Sequence, residues 1–139
     1  MSQVSLGSTG IVIEKNGMGC LPIQRISKED SVYLLHKAMD GGINFFDTAR
    51  AYTDSEEKMG YAFQGCRDQV VIATKSGALT GEQIKKELEE SLRNLGTDHI
   101  DLYQFHNPPF CPKPGGEDGL YDAILEAKRS VTLCPVCQN

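Results

Sequence analysis

Short apolar runs and amphipathic helical stretches take turns along this chain, and that alternation admits few folds. Residues 17–21, 43–46, 70–74 and 100–105 read as strands, the third of them β-branched along most of its length. Between them the apolar positions shift to helical spacing: Val32, Leu35 and Met39; Met59 and Phe63; Ile84, Leu88 and Leu92. Each helix carries local start or stop signals. Ser27 with Asp30, and Thr80 with Gln83, have capping-box spacing. Asp54, Glu56 and Glu57 put acids in a first turn, where the helix dipole favours them. Gly41-Gly42 and Gly96 stand where helices end. Residues 120–129 form a fourth helix, with Lys128 and Arg129 in its last turn. Strands alternating with helices mean βαβ units and a parallel sheet. Four βα units follow a hairpin built from residues 4–6 and 11–13. No linker divides them, so residues 1–129 read as one domain. Residues 130–139 break the pattern. Where a fifth strand is due, Val131-Thr132-Leu133 runs directly into Cys134-Pro135-Val136-Cys137, and the helix-to-strand step is expected to be lost.

At 139 residues, 40% hydrophobic and 24% charged, the chain has the composition of a soluble globular domain with a sizeable core. A net charge of -5 with no basic stripe argues against nucleic acid, and none is expected as a partner. No apolar stretch approaches the roughly 20 residues that span a bilayer, so no membrane partner is expected. The opening Met1-Ser2-Gln3-Val4-Ser5 lacks the basic and apolar regions of a secretory signal, and the expected location is cytoplasmic. The five cysteines are odd in number and scattered, which fits reduced thiols rather than a disulfide frame. Cys134 and Cys137 have the spacing of half a zinc or iron–sulfur site, but the preferred reading is a pair of ordinary thiols on a chain end, with no metal expected.

Chemistry concentrates just beyond the strands. Asp47, Lys75 and His106 each follow a strand-like run, and Tyr52 lies five residues past Asp47. Reducing a carbonyl needs a hydride on carbon and a proton on oxygen. A phenol can give that proton, but its reference pKa near 10 is high for transfer at neutral pH. An ammonium such as Lys75 lowers it by stabilising the phenolate. Asp47 is the counter-ion that keeps the lysine charged, and His106 can hydrogen-bond the substrate oxygen. Taken singly, each residue has a plainer reading. Asp47-Thr48 suits a turn or cap, Tyr52 an exposed loop aromatic, Lys75 a solvated charge, and His106 a satisfied core histidine. Their joint placement on strand ends, the rim where parallel barrels hold their active sites, favours the chemical reading.

These residues lie in blocks that resemble a known family. Gly41-Gly42-Ile43-Asn44-Phe45-Phe46-Asp47-Thr48-Ala49-Arg50-Ala51-Tyr52, followed by Ser55-Glu56-Glu57-Lys58-Met59-Gly60, is similar to the signature of the aldo/keto reductases. Val71-Ile72-Ala73-Thr74-Lys75 resembles the family's lysine strand. Leu102-Tyr103-Gln104-Phe105-His106 resembles its histidine strand, and Leu6-Gly7-Ser8-Thr9-Gly10 its N-terminal hairpin. The match runs over residues 4–129. It implies an NADP(H)-dependent oxidoreductase that reduces a small-molecule carbonyl to an alcohol. The fold it implies is α/β, the first half of a (β/α)8 TIM barrel with an N-terminal β-hairpin and about four parallel strands. It assigns Tyr52 as proton donor with Asp47, Lys75 and His106 beside it. It places Cys20, Leu21 and Asp47 near the cofactor, Asp47 on the nicotinamide ribose. His106-Asn107-Pro108 and residues 110–115 resemble a microbial subgroup whose longer members carry a C-terminal iron–sulfur module. A barrel of this type takes roughly 250 residues. The expectation is therefore a truncated reductase lacking the later strands, where the family keeps most cofactor contacts. The alternative is a catalytically inactive half barrel, acting through its open sheet edges by self-association or as an interaction or structural module.

Overall fold

In the computed structural model, residues 2–130 are described throughout and residues 132–134 as backbone. The chain opens with an antiparallel hairpin, β1 (Gln3–Ser5) and β2 (Val12–Glu14). It then runs β3 (Met18–Gly19), α1 (Lys28–Asp40), β4 (Phe45–Asp47), α2 (Ser55–Ala62), β5 (Val71–Ser76), α3 (Gly81–Leu95), β6 (His99–Phe105), α4 (Leu120–Ser130) and β7 (Thr132–Cys134). Strands β3 to β7 form one five-stranded sheet in sequence order, every pair parallel. That is the α/β architecture of the opening part of a (β/α)8 barrel.

The caps form where local chemistry asks for them. Ser27 Oγ accepts from the Asp30 amide at 3.0 Å, and Thr80 Oγ1 from the Gln83 amide at 3.3 Å. Gly96 closes α3 in the left-handed conformation, φ 60°, which costs glycine least. Gly60 has a steric duty instead. A Cβ there would lie 2.8 Å from the Leu95 carbonyl oxygen and closer still to that of Asn94. The missing side chain lets α2 rest against the C-terminal end of α3.

One expectation is overturned at the chain's end. The helix-to-strand step after α4 is kept, because residues 132–134 pair parallel with β6 through His99↔Thr132 and Ile100↔Leu133. Three residues extend the ladder even though the sequence turns at once to the Cys-Pro-Val-Cys motif.

The register assigns the sheet two faces with different tasks. Phe46, Ile72 and Tyr103 face the helices and are buried with Leu35, Met59, Ile84, Leu120 and Ile124; the register shifts between Ile100 and Leu102, so the alternation along β6 counts from Leu102. Phe46 meets Phe63 of the segment after α2, ring centroids 4.8 Å apart and tilted by 53°. Residues of the other parity point away from the helices. Asp47 is paired with Ala73, Ala73 with Leu102, and Lys75 with Gln104. Side chains alternate along a strand, so Asp47, Lys75 and His106 share this inner face.

Candidate active site

The inner face ends in a charged pair. Lys75 Nζ donates to Asp47 Oδ1 at 2.5 Å and to the Thr48 carbonyl at 2.7 Å. Both side chains are only partly exposed, Lys75 18% and Asp47 33%. Partial burial makes this pair stronger than a solvated one, because less water screens it. The backbone fixes its two halves. The Thr48 amide donates to the Ala73 carbonyl at 2.8 Å and the Arg50 amide to the Lys75 carbonyl at 2.9 Å, so the parallel ladder continues past β4.

Tyr52 sits on the loop that follows. Its amide donates to the Ala49 carbonyl, and its carbonyl accepts from the Ser55 amide. The turn folds the phenol back over the rim, with Lys75 Nζ 5.5 Å from its ring centroid. His106, one residue beyond β6, is tied to β5 through its amide and the Ser76 carbonyl, 2.8 Å. Its imidazole meets the Tyr52 ring edge-on, centroids 5.6 Å apart at 86°. The four residues expected to act together are thus neighbours on one rim. Among the described residues nothing hydrogen-bonds the Tyr52 hydroxyl or the His106 ring nitrogens, which leaves both able to meet a ligand.

Cys20 and Leu21 follow β3 and part company. The Cys20 amide donates to the Asp47 carbonyl at 2.7 Å, and its carbonyl accepts from Ser55 Oγ at 2.9 Å, so the residue is stitched beneath the site. It is fully buried. Burial, reinforced by the Asp47 charge against the opposing effect of Lys75, pushes the Cys20 thiol up to about 12. Leu21 is 42% exposed and offers an apolar surface at the rim. Thiolate is the reactive form of cysteine. At about pH 8, alkylation of the native chain should therefore label exposed Cys111 and spare Cys20, as read by peptide mass mapping. Rapid Cys20 labelling would contradict its burial.

Among the described residues no three His, Cys, Asp or Glu side chains are grouped to hold a metal. Cys137 and the Cys134 side chain lie outside the described residues. Glu56, one of the acids expected in the first turn of α2, lies there and is buried. Its carboxylate accepts from Arg50, Thr74 and Asn94. The sequence carried a signal for this, since Glu56 is three residues before Met59 and seven before Phe63, on the buried stripe of α2. No helix among the described residues is long and apolar enough to cross a membrane.

A parallel sheet wrapped on one side by helices, with a lysine–carboxylate pair, a phenol and an imidazole on its C-terminal rim, has the architecture of part of an α/β barrel. Comparison with known proteins narrows the class. The family model described as "Aldo/keto reductase family" matches residues 13–130. The aldo-keto reductase YhdN of Bacillus subtilis is 36% identical over 132 residues, covering 81% of this chain and 40% of its own length. The L-galactose dehydrogenase of Arabidopsis thaliana is 32% identical over 121 residues, covering 76% of this chain and 38% of its own. The holo structure of aldo-keto reductase AKR11C1 from Bacillus halodurans superposes with a TM-score of 0.85 at 27% identity, over 96% of this chain and 48% of that one. The chain belongs to the aldo/keto reductase family, and it spans about two fifths of the length of the curated relatives it matches.

Proposed function

We propose that this chain carries the proton-transfer half of an NADP(H)-dependent carbonyl reductase acting on small aldehydes or ketones. The observation that carries the reading is the meeting of Tyr52, Lys75, Asp47 and His106 on one rim. Tyr52 is the general acid and delivers its phenolic proton to the substrate oxygen as that oxygen gains charge. The Lys75 ammonium lies beside the ring on which negative charge develops as the proton leaves, and Asp47 holds that ammonium in place. His106 orients the substrate oxygen toward the phenol through a ring N–H. Solvent returns the proton to Tyr52 after the alcohol leaves.

A nicotinamide dinucleotide, when bound, would supply the hydride to the carbonyl carbon. The residues present suit the ribose side of such a group. Asp47 Oδ2 takes part in none of the described hydrogen bonds and the side chain is one-third exposed, so an acceptor is left for a sugar hydroxyl. Leu21 offers apolar surface beside it, and buried Cys20 holds the floor beneath. The oxidoreductase relatives support the reaction class.

Titration of the purified chain with NADPH, followed by cofactor fluorescence, tests the reading. Saturable binding in the micromolar range is expected, about -8 kcal/mol of binding free energy. No binding up to millimolar cofactor overturns the reading and leaves a chain without turnover.

A further inference from the structure

Behind the rim, on the helix-facing side of the sheet, lies a second polar cluster centred on Glu56. This residue is 1% exposed. Its Oε1 accepts from Thr74 Oγ1 at 2.7 Å, and its Oε2 from Arg50 Nη1 at 3.0 Å and Asn94 Nδ2 at 3.1 Å. Three side chains on three different segments thus converge on one carboxyl group. Thr74 immediately precedes Lys75 and points to the opposite face of β5. Arg50 lies two residues before Tyr52, and its amide is bonded to the Lys75 carbonyl. Its other guanidinium nitrogen reaches Glu90 of α3 at 3.3 Å. One buried carboxylate therefore grips β5 beside the lysine and the loop beside the phenol.

The loop has reason to need a grip. Thr53, directly after Tyr52, has φ 40°, a conformation that β-branched residues rarely adopt. Asn107, directly after His106, has φ 49°. Among the described residues these are the two non-glycine positions with positive φ, and each turns the chain just past one of the two facing rings. Such backbone persists only where its surroundings over-determine it.

We propose that Arg50, Glu56 and Thr74 form a positioning strut that holds the Tyr52 phenol against His106 and Lys75 from the far side of the sheet. The inference rests on the acid role given to Tyr52 above. A cluster that merely tied α2 to α3 would affect stability and leave the rim geometry alone.

The test reads that geometry without needing turnover. The chain has three histidines, so the His106 ring protons are assignable by NMR. In the wild-type chain they should show a nuclear Overhauser cross-peak to the Tyr52 ring. Arg50→Met should reduce that cross-peak to less than half while the His36 and His99 signals stay in place. Thr74→Val, which keeps the side-chain shape and removes one hydrogen bond, should act in the same direction and serves if Arg50→Met does not fold. Lys85→Ala, which breaks the exposed pair with Glu126, should leave the cross-peak unchanged. A wild-type cross-peak that keeps half its intensity or more in every folded variant overturns the strut alone. A wild-type chain without the cross-peak removes the ring contact, and the catalytic reading falls with it.

Discussion

Tyr52→Phe lowers carbonyl turnover by about 10²- to 10⁴-fold, the usual contribution of a positioned general acid, and leaves cofactor affinity where it was. The substitution removes one oxygen and keeps the ring. The edge-to-face contact with His106 at 5.6 Å and the approach of Lys75 Nζ at 5.5 Å both involve the ring rather than the hydroxyl. The hydroxyl itself has no partner among the described residues, so its loss orphans no buried group and costs little stability. A fall in kcat therefore isolates proton delivery from packing. The measurement is steady-state NADPH oxidation with a carbonyl substrate, beside a fluorescence titration of cofactor on the same preparation. Turnover within twofold of wild type removes Tyr52 from the acid role. A parallel loss of cofactor affinity would instead mean that the phenol was holding the cofactor.

The rim could be read from the sequence because its determinants are short-range. A strand alternates its faces every residue, so once residues 70–74 are a strand, Lys75 must leave its end on a defined side. The same holds for Asp47 and His106. The Ser27, Thr80 and Gly96 signals act within four residues of themselves, and each appears as the residues dictate. What escaped depends on distant partners. Cys20 lies where a cofactor neighbour was expected, yet its exposure is decided by the Asp47 and Ser55 segments that close over it. The strand at 132–134 is too short to show a periodicity of its own ahead of the cysteine motif; the edge of β6 is what orders it. Glu56 lies in the first turn where the sequence puts it, while its burial depends on Arg50, Thr74 and Asn94, partners far away in the chain or on other elements.

Glu56 carries the largest stability effect expected in the chain. Glu56→Ala should cost about 3–5 kcal/mol, the range for removing one partner of a buried ion pair. The loss is more than one salt bridge. Arg50 loses a counter-ion, Asn94 loses an acceptor, and the fully buried Thr74 hydroxyl keeps a donor with nothing to receive it. Glu90 remains 3.3 Å from Arg50 and recovers part of the charge compensation, which places the expected value toward the lower end. Its neighbour Glu57 gives the comparison, since it has the same side chain, one position on, and is exposed. Glu57→Ala should shift stability by no more than about 0.5 kcal/mol. Urea unfolding of the two variants beside wild type, read by circular dichroism, decides the matter. A difference between them under about 1 kcal/mol would mean that the interior around Glu56 admits water, and a carboxylate so solvated could not brace the loop that carries Tyr52.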